Sequence, residues 1–463
     1  MNKLPASTFF DTFAELRNDL RTVEATPLVT SLLLLHAVNR FRAHYDALGI
    51  HLPDSAAPDL QSLTLPIPRV LELVKIVLGE RVQARFSVLS AHKVDPAVVA
   101  RTSRQMGVYV SRLTAGKDDH AALAALGQAC THLLDYSVRQ FPVTSGVVQT
   151  PGTLAQLTVS LLDAQPGMTV LDHNVGLTRT LVELARQQAG ASHDPNAIRY
   201  VGQEVDDQTA ILGAIHLVLS GVTNFVIHVG DTLTSPATGP ETFDRVIADP
   251  PIGLSVPHLL SSLEGDKRFA FGRKSLPKTA DWLFLQHGLT SLKPGGRAVF
   301  VTTHGPMFRG GSEASVRQDL LATGWLSAVI ALPSALYPNT ALPLVLTVFD
   351  RPQTGERGLG SVLMIDASGR GVREGRTQVL SDETRAYLLS LFRKRQGDGD
   401  SAVLVGHDRI HANKDAWQPN QYLERGTDEG RSVMAIRAEL KAKREALSVA
   451  EAELERAFDA LLT

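Results

Sequence analysis

The 463-residue chain has one cysteine, Cys130, only 6% aromatic residues and almost no charge imbalance: 46 Lys+Arg against 48 Asp+Glu leave a net charge of -2. One thiol makes no internal disulfide and supports no Cys/His zinc spacing, so Cys130 is expected to be a small buried hydrophobe. Near-neutral charge excludes a chain that holds a polyanion by bulk positive charge. Any nucleic acid must be met by a local patch or by another subunit. Long hydrophobic runs are missing too, the longest lying around Leu32 to Leu35, far short of the roughly 20 residues that span a bilayer. The first residues carry Asp11, Glu15 and Asp19 in place of a basic segment followed by an apolar one. That pattern predicts no secretory signal and a cytoplasmic protein without membrane contact. Neither G-x-x-x-x-G-K-[ST] nor H-E-x-x-H occurs, which disfavours an ATP-driven motor and zinc hydrolysis; no metal is expected.

What is there is length and an apolar content of 44%, enough for two to four domains at roughly 100–200 residues each. Residues 1–140 show apolar side chains at three- and four-residue spacing, as in Leu28, Leu32, Leu35 and Val38, or Val70, Leu73, Val74 and Val77. This predicts a helical N-terminal domain. From 141 to 350 short β-rich runs alternate with amphipathic helical windows. The runs are Met168–Leu171, Ile198–Val201, Phe225–Val229, Phe243–Ala248, Arg297–Val301, Leu326–Leu332 and Leu342–Phe349. Alternation of this kind predicts an α/β domain with a doubly wound, mainly parallel sheet. Residues 351–427 read as a mixed extension. Residues 428–463 carry a heptad stripe, Val433, Leu440, Leu447, Leu454 and Leu461, with Ile436, Ala450 and Ala457 on the second seam and Lys443 as its exception. That stripe predicts one long helix that needs a partner, in its own chain or in another.

Ligands of such sheets bind beyond the carboxyl ends of the strands. The first run ends in Asp172-His-Asn-Val-Gly176, an acid, a turn glycine and a helix start. This is a nucleotide or S-adenosylmethionine (AdoMet) layout, or a plain structural turn; a dinucleotide enzyme is the weaker variant, since one glycine stands where three are usual. The second run ends in Gly202-Gln-Glu204, where a carboxylate accepts the hydroxyls of a ribose or simply starts a helix. The third ends in Gly230-Asp231, placed to reach an adenine amine or to cap a helix. The fourth ends in Asp249-Pro250-Pro251-Ile252. Two prolines there stiffen a turn and aim the Asp side chain and the Pro250 carbonyl at one point, where two acceptors can hold an amino group. A Pro-Pro turn is also an ordinary structural device.

Together these motifs resemble the modification (M) subunits of type I restriction–modification systems, which are N6-adenine DNA methyltransferases. Further landmarks agree: Gly146-Val-Val-Gln-Thr150-Pro151, Leu292-Lys-Pro-Gly-Gly296, Met307-Phe-Arg-Gly-Gly311, Ile330-Ala-Leu-Pro333 with Tyr337, Thr340 and Pro343, and Trp417-Gln-Pro-Asn-Gln-Tyr422. The resemblance implies a sheet of the AdoMet-dependent methyltransferase type. It implies a catalytic tetrad of Asp249, Pro250, Pro251 and Ile252, and cofactor contacts at Thr150, Pro151, Asp172, Gly176, Glu204 and Asp231. The implied partners are DNA, a specificity subunit met through the C-terminal helix, and a restriction subunit. Arg268, Arg273, Lys274 and Lys278 form a basic cluster expected to face DNA, or to be a solvated loop.

The sequence also departs from the family pattern. His173, Leu177, Thr178 and Arg179 stand where Pro and Gly types are usual, and their side chains are expected to crowd the methionine end of AdoMet and weaken its binding. Asp249 replaces the usual Asn. Ile252 replaces the aromatic that stacks on the flipped base, a role that Phe269, Phe271 or Phe308 would have to take. Two readings follow: an active DNA adenine methyltransferase subunit, or a catalytically weak or inactive relative kept for assembly or DNA contact.

Overall fold

The computed structural model describes residues 22–86, 94–140, 149–272, 276–338, 340–423, 441 and 443–445. The heptad segment 428–463 lies outside them apart from residues 441 and 443–445.

In the N-terminal region the helix Thr22–Arg40 is the hub. Leu32, Leu33, Leu34 and Leu35 are all fully buried. Four consecutive buried positions need partners on every side of a helix, not on one face. They are supplied by the helices Ile67–Leu78, Pro96–Thr114 and Asp119–Gln140, and by Asp207–Leu219 from the sheet domain. Asp95 caps the second of these, accepting from the Ala97 amide at 2.8 Å, with Pro96 at the first helical position. Cys130 is fully buried here, and burial pushes its thiol up.

The sheet has nine strands. In chain order they are β1 (Thr169–Asp172), β2 (Arg199–Glu204), β3 (Phe225–Val229), β4 (Phe243–Ala248), β5 (Leu292–Thr303), β6 (Leu326–Ala331), β7 (Leu344–Asp350), β8 (Ser361–Asp366) and, after a small hairpin β9 (Val372–Glu374) and β10 (Thr377–Val379), β11 (Ala402–Gly406). The spatial order is β11-β8-β6-β7-β5-β4-β1-β2-β3. Strands β3, β2, β1, β4 and β5 run parallel, while β7 is antiparallel to both β5 and β6. The expected doubly wound, mainly parallel sheet is therefore present, and it continues past residue 350 into β8 and β11. The order reverses between β1 and β4, and the crevice at such a switch point is where open sheets bind ligands.

The helical region is stitched to the sheet domain at several points. Val82 forms a parallel bridge with Ile227 of β3, and the Gln83 amide donates to the Ile227 carbonyl at 3.1 Å. The helix Asp207–Leu219 is buried along nearly its whole length. Its His216 is fully buried, and burial lowers its pKa to about 3, so the ring is neutral. One ring nitrogen lies 2.8 Å from the Leu177 carbonyl and must carry the proton there; the other accepts from the Thr131 hydroxyl at 2.8 Å. No described helix is long and apolar enough to cross a membrane.

Candidate active site

Strand register brings the candidate carboxylates together. Asp172 at the end of β1 lies opposite Gly202 of β2 and Ile247 of β4. Glu204 and Asp249 each lie two residues beyond those partners, which returns them to the face that Asp172 occupies. Glu204 in turn pairs with Val229, two residues before Asp231. Asp172, Glu204, Asp231 and Asp249 thus emerge along one edge of four adjacent strands. In front of them opens a cavity of about 860 Å³, lined among others by Asn174, Gly176, Glu204, Asp231, Asp249 and Tyr337.

The turn after β1 is held by its neighbour. The Asn174 amide donates to Asp172 Oδ1 at 3.1 Å, the Val175 amide to the Gln203 carbonyl at 3.0 Å, and the Gly176 amide to Glu204 Oε2 at 3.1 Å. Gly176 has φ +51°. Gly213 of the helix behind it has no room for a Cβ, which would sit 2.9 Å from the Gly176 carbonyl oxygen. Gln203 also lines the cavity, but its side chain is committed to the neighbouring loop. Its amide bonds the carbonyls of Gly230 and Ser235 and the Ala237 amide, fixing the loop that carries Asp231.

Charge is concentrated here. Burial, reinforced by Asp249 and Glu204 and opposed by the Asn174 amide, pushes Asp172 up to about 7. Burial also raises Glu204 and Asp249. Asp249 Oδ2 accepts from the Thr150 hydroxyl at 2.6 Å and from the Tyr337 hydroxyl. Burial and Asp249 push the Tyr337 phenol well above its usual value, which keeps it a donor. Both hydrogen bonds described for Asp249 fall on Oδ2, leaving Oδ1 as an acceptor. Asn174 Oδ1 is buried without a partner among the described residues, at a position that lines the cavity. The carboxylates of Glu204, Asp231 and Asp249 and an orphaned acceptor around one cavity fit a ligand that carries positive charge and hydrogen-bond donors.

Several expectations change. The crowding expected from 177–179 does not occur. Thr178 has φ +61°, so its side chain turns back into the fold, where the hydroxyl donates to the Gly213 carbonyl at 3.1 Å. Arg179 reaches the N-terminal region, bonding both oxygens of Asp135 at 3.1 Å and Glu183 at 3.1 Å. Leu177 is in the core. His173 does line the cavity, but its ring packs at 6.3 Å along Phe284 and at 5.0 Å edge-on to His287, and burial holds it neutral. Thr150, expected against the cofactor, is bonded to the tetrad Asp. Pro151 caps the helix Gly152–Leu162. Tyr337 enters the site although the sequence offered it only as a landmark; its signal was the strand-end position after Ile330-Ala-Leu-Pro333.

The basic cluster does not stand as expected. Arg268 is 14% exposed and bonds Asp266, the Thr232 and Leu233 carbonyls and His287, with its guanidinium 4.8 Å from the Phe269 ring centroid. These partners commit the guanidinium to clamping the 232–233 loop and Asp266. Arg268→Ala is expected to destabilise the fold by about 1–3 kcal/mol, since Asp266 and two carbonyls lose their donor; urea unfolding measures it. An unchanged midpoint with weakened DNA binding would restore the DNA role. Lys278 is exposed, and its carbonyl accepts from the Val256 amide at 2.9 Å beside the Ser255–Thr279 bridge. Arg273 and Lys274 lie outside the described residues. Of the three aromatics considered for stacking, Phe269 is buried, Phe271 packs edge-on to Trp325, and Phe308 is half exposed. Among the described residues no group of three or more His, Cys, Asp or Glu side chains is arranged to hold a metal ion.

Comparison with known proteins agrees with this geometry. Residues 122–430 match the family described as N-6 DNA Methylase. The type I restriction enzyme MjaVII methylase subunit of Methanocaldococcus jannaschii is 30% identical over 252 residues, 53% of this chain and 43% of its own. The MjaVIII methylase subunit of the same organism is 26% identical over 335 residues, 69% of this chain and 56% of its own. The chain thus spans about half the length of these curated relatives. Among solved structures, the type I restriction–modification methyltransferase subunit from Streptococcus thermophilus superposes with a TM-score of 0.71 at 22% identity, covering 90% of this chain and 99% of that one. A modification subunit of a putative type I restriction enzyme from Vibrio vulnificus gives 0.66 at 16% identity, covering 94% and 99%. At those identities the likeness is one of fold.

Proposed function

This chain belongs to the N-6 DNA Methylase family, and from that premise we propose that it is the modification subunit of a type I restriction–modification system, methylating adenine N6 in DNA. The observation that carries the reading is the convergence of Glu204, Asp231 and Asp249 on one cavity at the switch point of the sheet, with Asp172 buried beside them within electrostatic reach of Glu204 and Asp249. The cavity suits AdoMet, which brings a sulfonium and an ammonium. When bound, AdoMet supplies an electrophilic methyl group.

Each strand end then has a task. Glu204 accepts from the ribose hydroxyls; its two oxygens already take the Gly176 and Asp206 amides, but each retains a lone pair. Asp231 faces the cofactor's adenine amine. Asp172, the Asn174 carbonyl oxygen and the Gly176 turn meet the ammonium end. The target adenine leaves the duplex so that its amine reaches the site. Asp249 Oδ1 and the Pro250 carbonyl accept its two N–H bonds and aim the nitrogen lone pair; the gain is one of position. The surplus proton passes from N6 to water after the methyl has moved. Lys278, with Arg273 and Lys274, is the candidate phosphate contact. The heptad segment 428–463 is the candidate seat of the specificity subunit, and a restriction subunit is a further candidate partner.

Ile252 favours a second reading, an inactive methyltransferase-fold subunit kept for assembly. Calorimetry with AdoMet separates the two. On the first reading the chain, purified with its accompanying subunits, releases heat on AdoMet addition with micromolar affinity. No heat at high micromolar protein and ligand leaves only the scaffold.

A further inference from the structure

The cavity continues past the tetrad. Beyond Asp249 two segments line it with aliphatic side chains: Ile252 and Leu254 from the turn after β4, and Leu342 from the loop that carries Tyr337 and Thr340. Leu254 is 41% exposed and Leu342 is 49% exposed, whereas most leucines of this chain are buried. Two exposed leucines from separate segments lining one cavity need a reason.

Both segments are braced. Gly253, at φ +66°, turns the chain between Ile252 and Leu254. The next residue, Ser255, forms an antiparallel bridge with Thr279, and the Leu254 carbonyl accepts from the Ala280 amide at 2.8 Å. In the other segment the Leu342 amide donates to the Thr340 hydroxyl at 3.1 Å, and Tyr337 anchors the same loop to Asp249. Asp249 is therefore tied to both segments, to 250–254 by the chain and to the 337–342 loop through Tyr337. Of the rings that line the cavity, Phe284 is buried along His173, Tyr337 is bonded to Asp249, and His258 is exposed on the same segment as Leu254; Phe269 and Phe271 are occupied elsewhere, and Phe308 is not among the lining residues.

We infer that Leu254 and Leu342 are the two sides of a slot that takes the flipped adenine, so that this chain grips its base by aliphatic contact where the family tetrad supplies an aromatic. The inference rests on the DNA-adenine reading above. The slot fits a flat, largely apolar ring with one polar edge: the faces meet methyl groups, and the amine meets Asp249 and Pro250. Aliphatic walls exclude water from the ring as an aromatic does, without the directional stacking.

The test uses the tagged chain purified from its host with the subunits that accompany it. Mapping of N6-methyladenine in host DNA identifies the target. Duplexes bearing that site are then assayed with the adenine intact or replaced by 2-aminopurine, whose emission an overlying aromatic ring quenches. Leu254→Ala and Leu342→Ala are each expected to raise KM for DNA about tenfold, in line with the loss of a base contact. The Kd for AdoMet by calorimetry stays unchanged, and the wild-type complex gives bright 2-aminopurine emission. Quenched emission overturns the slot, and whichever of His258→Ala and Phe308→Ala raises KM for DNA identifies the ring that takes the base. Leucine variants that match an active wild type also overturn the slot and leave the methyltransferase reading standing. If the wild type methylates no adenine, both fall together.

Discussion

Asp249→Ala is expected to lower methyl transfer by at least about 100-fold while Asp249→Asn stays within about tenfold of wild type. The difference follows from what the side chain touches. Its Oδ2 takes the Thr150 and Tyr337 hydroxyls, and its Oδ1 is the acceptor left for the substrate amine. Asparagine keeps one carbonyl oxygen and replaces the other with donors, so the amine retains an acceptor. Alanine removes both, and a misplaced nitrogen loses the alignment on which transfer depends; an error of an ångström costs about 100-fold. Alanine also strands two hydroxyls, at a cost of about 1–3 kcal/mol each where they are buried. The measurement is methyl incorporation into unmethylated genomic DNA, alongside a thermal melt. An alanine variant that methylates like wild type moves the active site elsewhere.

The second large effect concerns Asp172 and has opposite signs for stability and binding. Its folded pKa, about 7, lies above the value of about 4 for an unfolded aspartate. The folded state therefore holds the proton more tightly. The stability this provides is fully present below pH 4 and is lost as pH rises towards 7. Asp172→Asn cannot ionise, and its Oδ1 still accepts from the Asn174 amide. Without cofactor the variant should gain stability at pH 8 on the order of 3 kcal/mol over wild type, and little at pH 4. Its AdoMet binding should fall by more than tenfold, because a cationic ligand is met by the ionised form. In wild type that affinity should climb with pH up to about 7, with a proton released on binding. Urea unfolding at both pH values and calorimetry in buffers of different ionisation enthalpy read all of this. A variant no more stable at pH 8 that binds AdoMet normally refutes the assignment.

The strand ends were legible in the sequence because their signals are local. Phe225–Val229 and Phe243–Ala248 are strands with the expected bounds, and the acids that follow them reach the same cavity. Directions of side chains were not legible. The reading of Thr178 and Arg179 as crowding the cofactor assumed that they point forward from the turn. A positive φ at Thr178 and the distant Asp135 send them elsewhere. Arg268 shows the same limit: a basic residue in a charged loop looks solvated until the Thr232 and Leu233 carbonyls, far back in the chain, are brought to it. The extension after residue 350 read as mixed because β8 and β11 are short and join the sheet only through β6.

The bridge from Val82 to Ile227 has a practical bearing. A sheet ends in a strand whose outer row of amides and carbonyls invites pairing with any extended chain, including another copy of itself. On the β3 side that row is partly spoken for by Val82 and Gln83, which come from the helical region. An expression fragment trimmed to the sheet alone would present an open, apolar-flanked edge at Phe225–Val229. The N-terminal helices thus act as a guard against self-association, and shortening the protein from that end trades size for solubility.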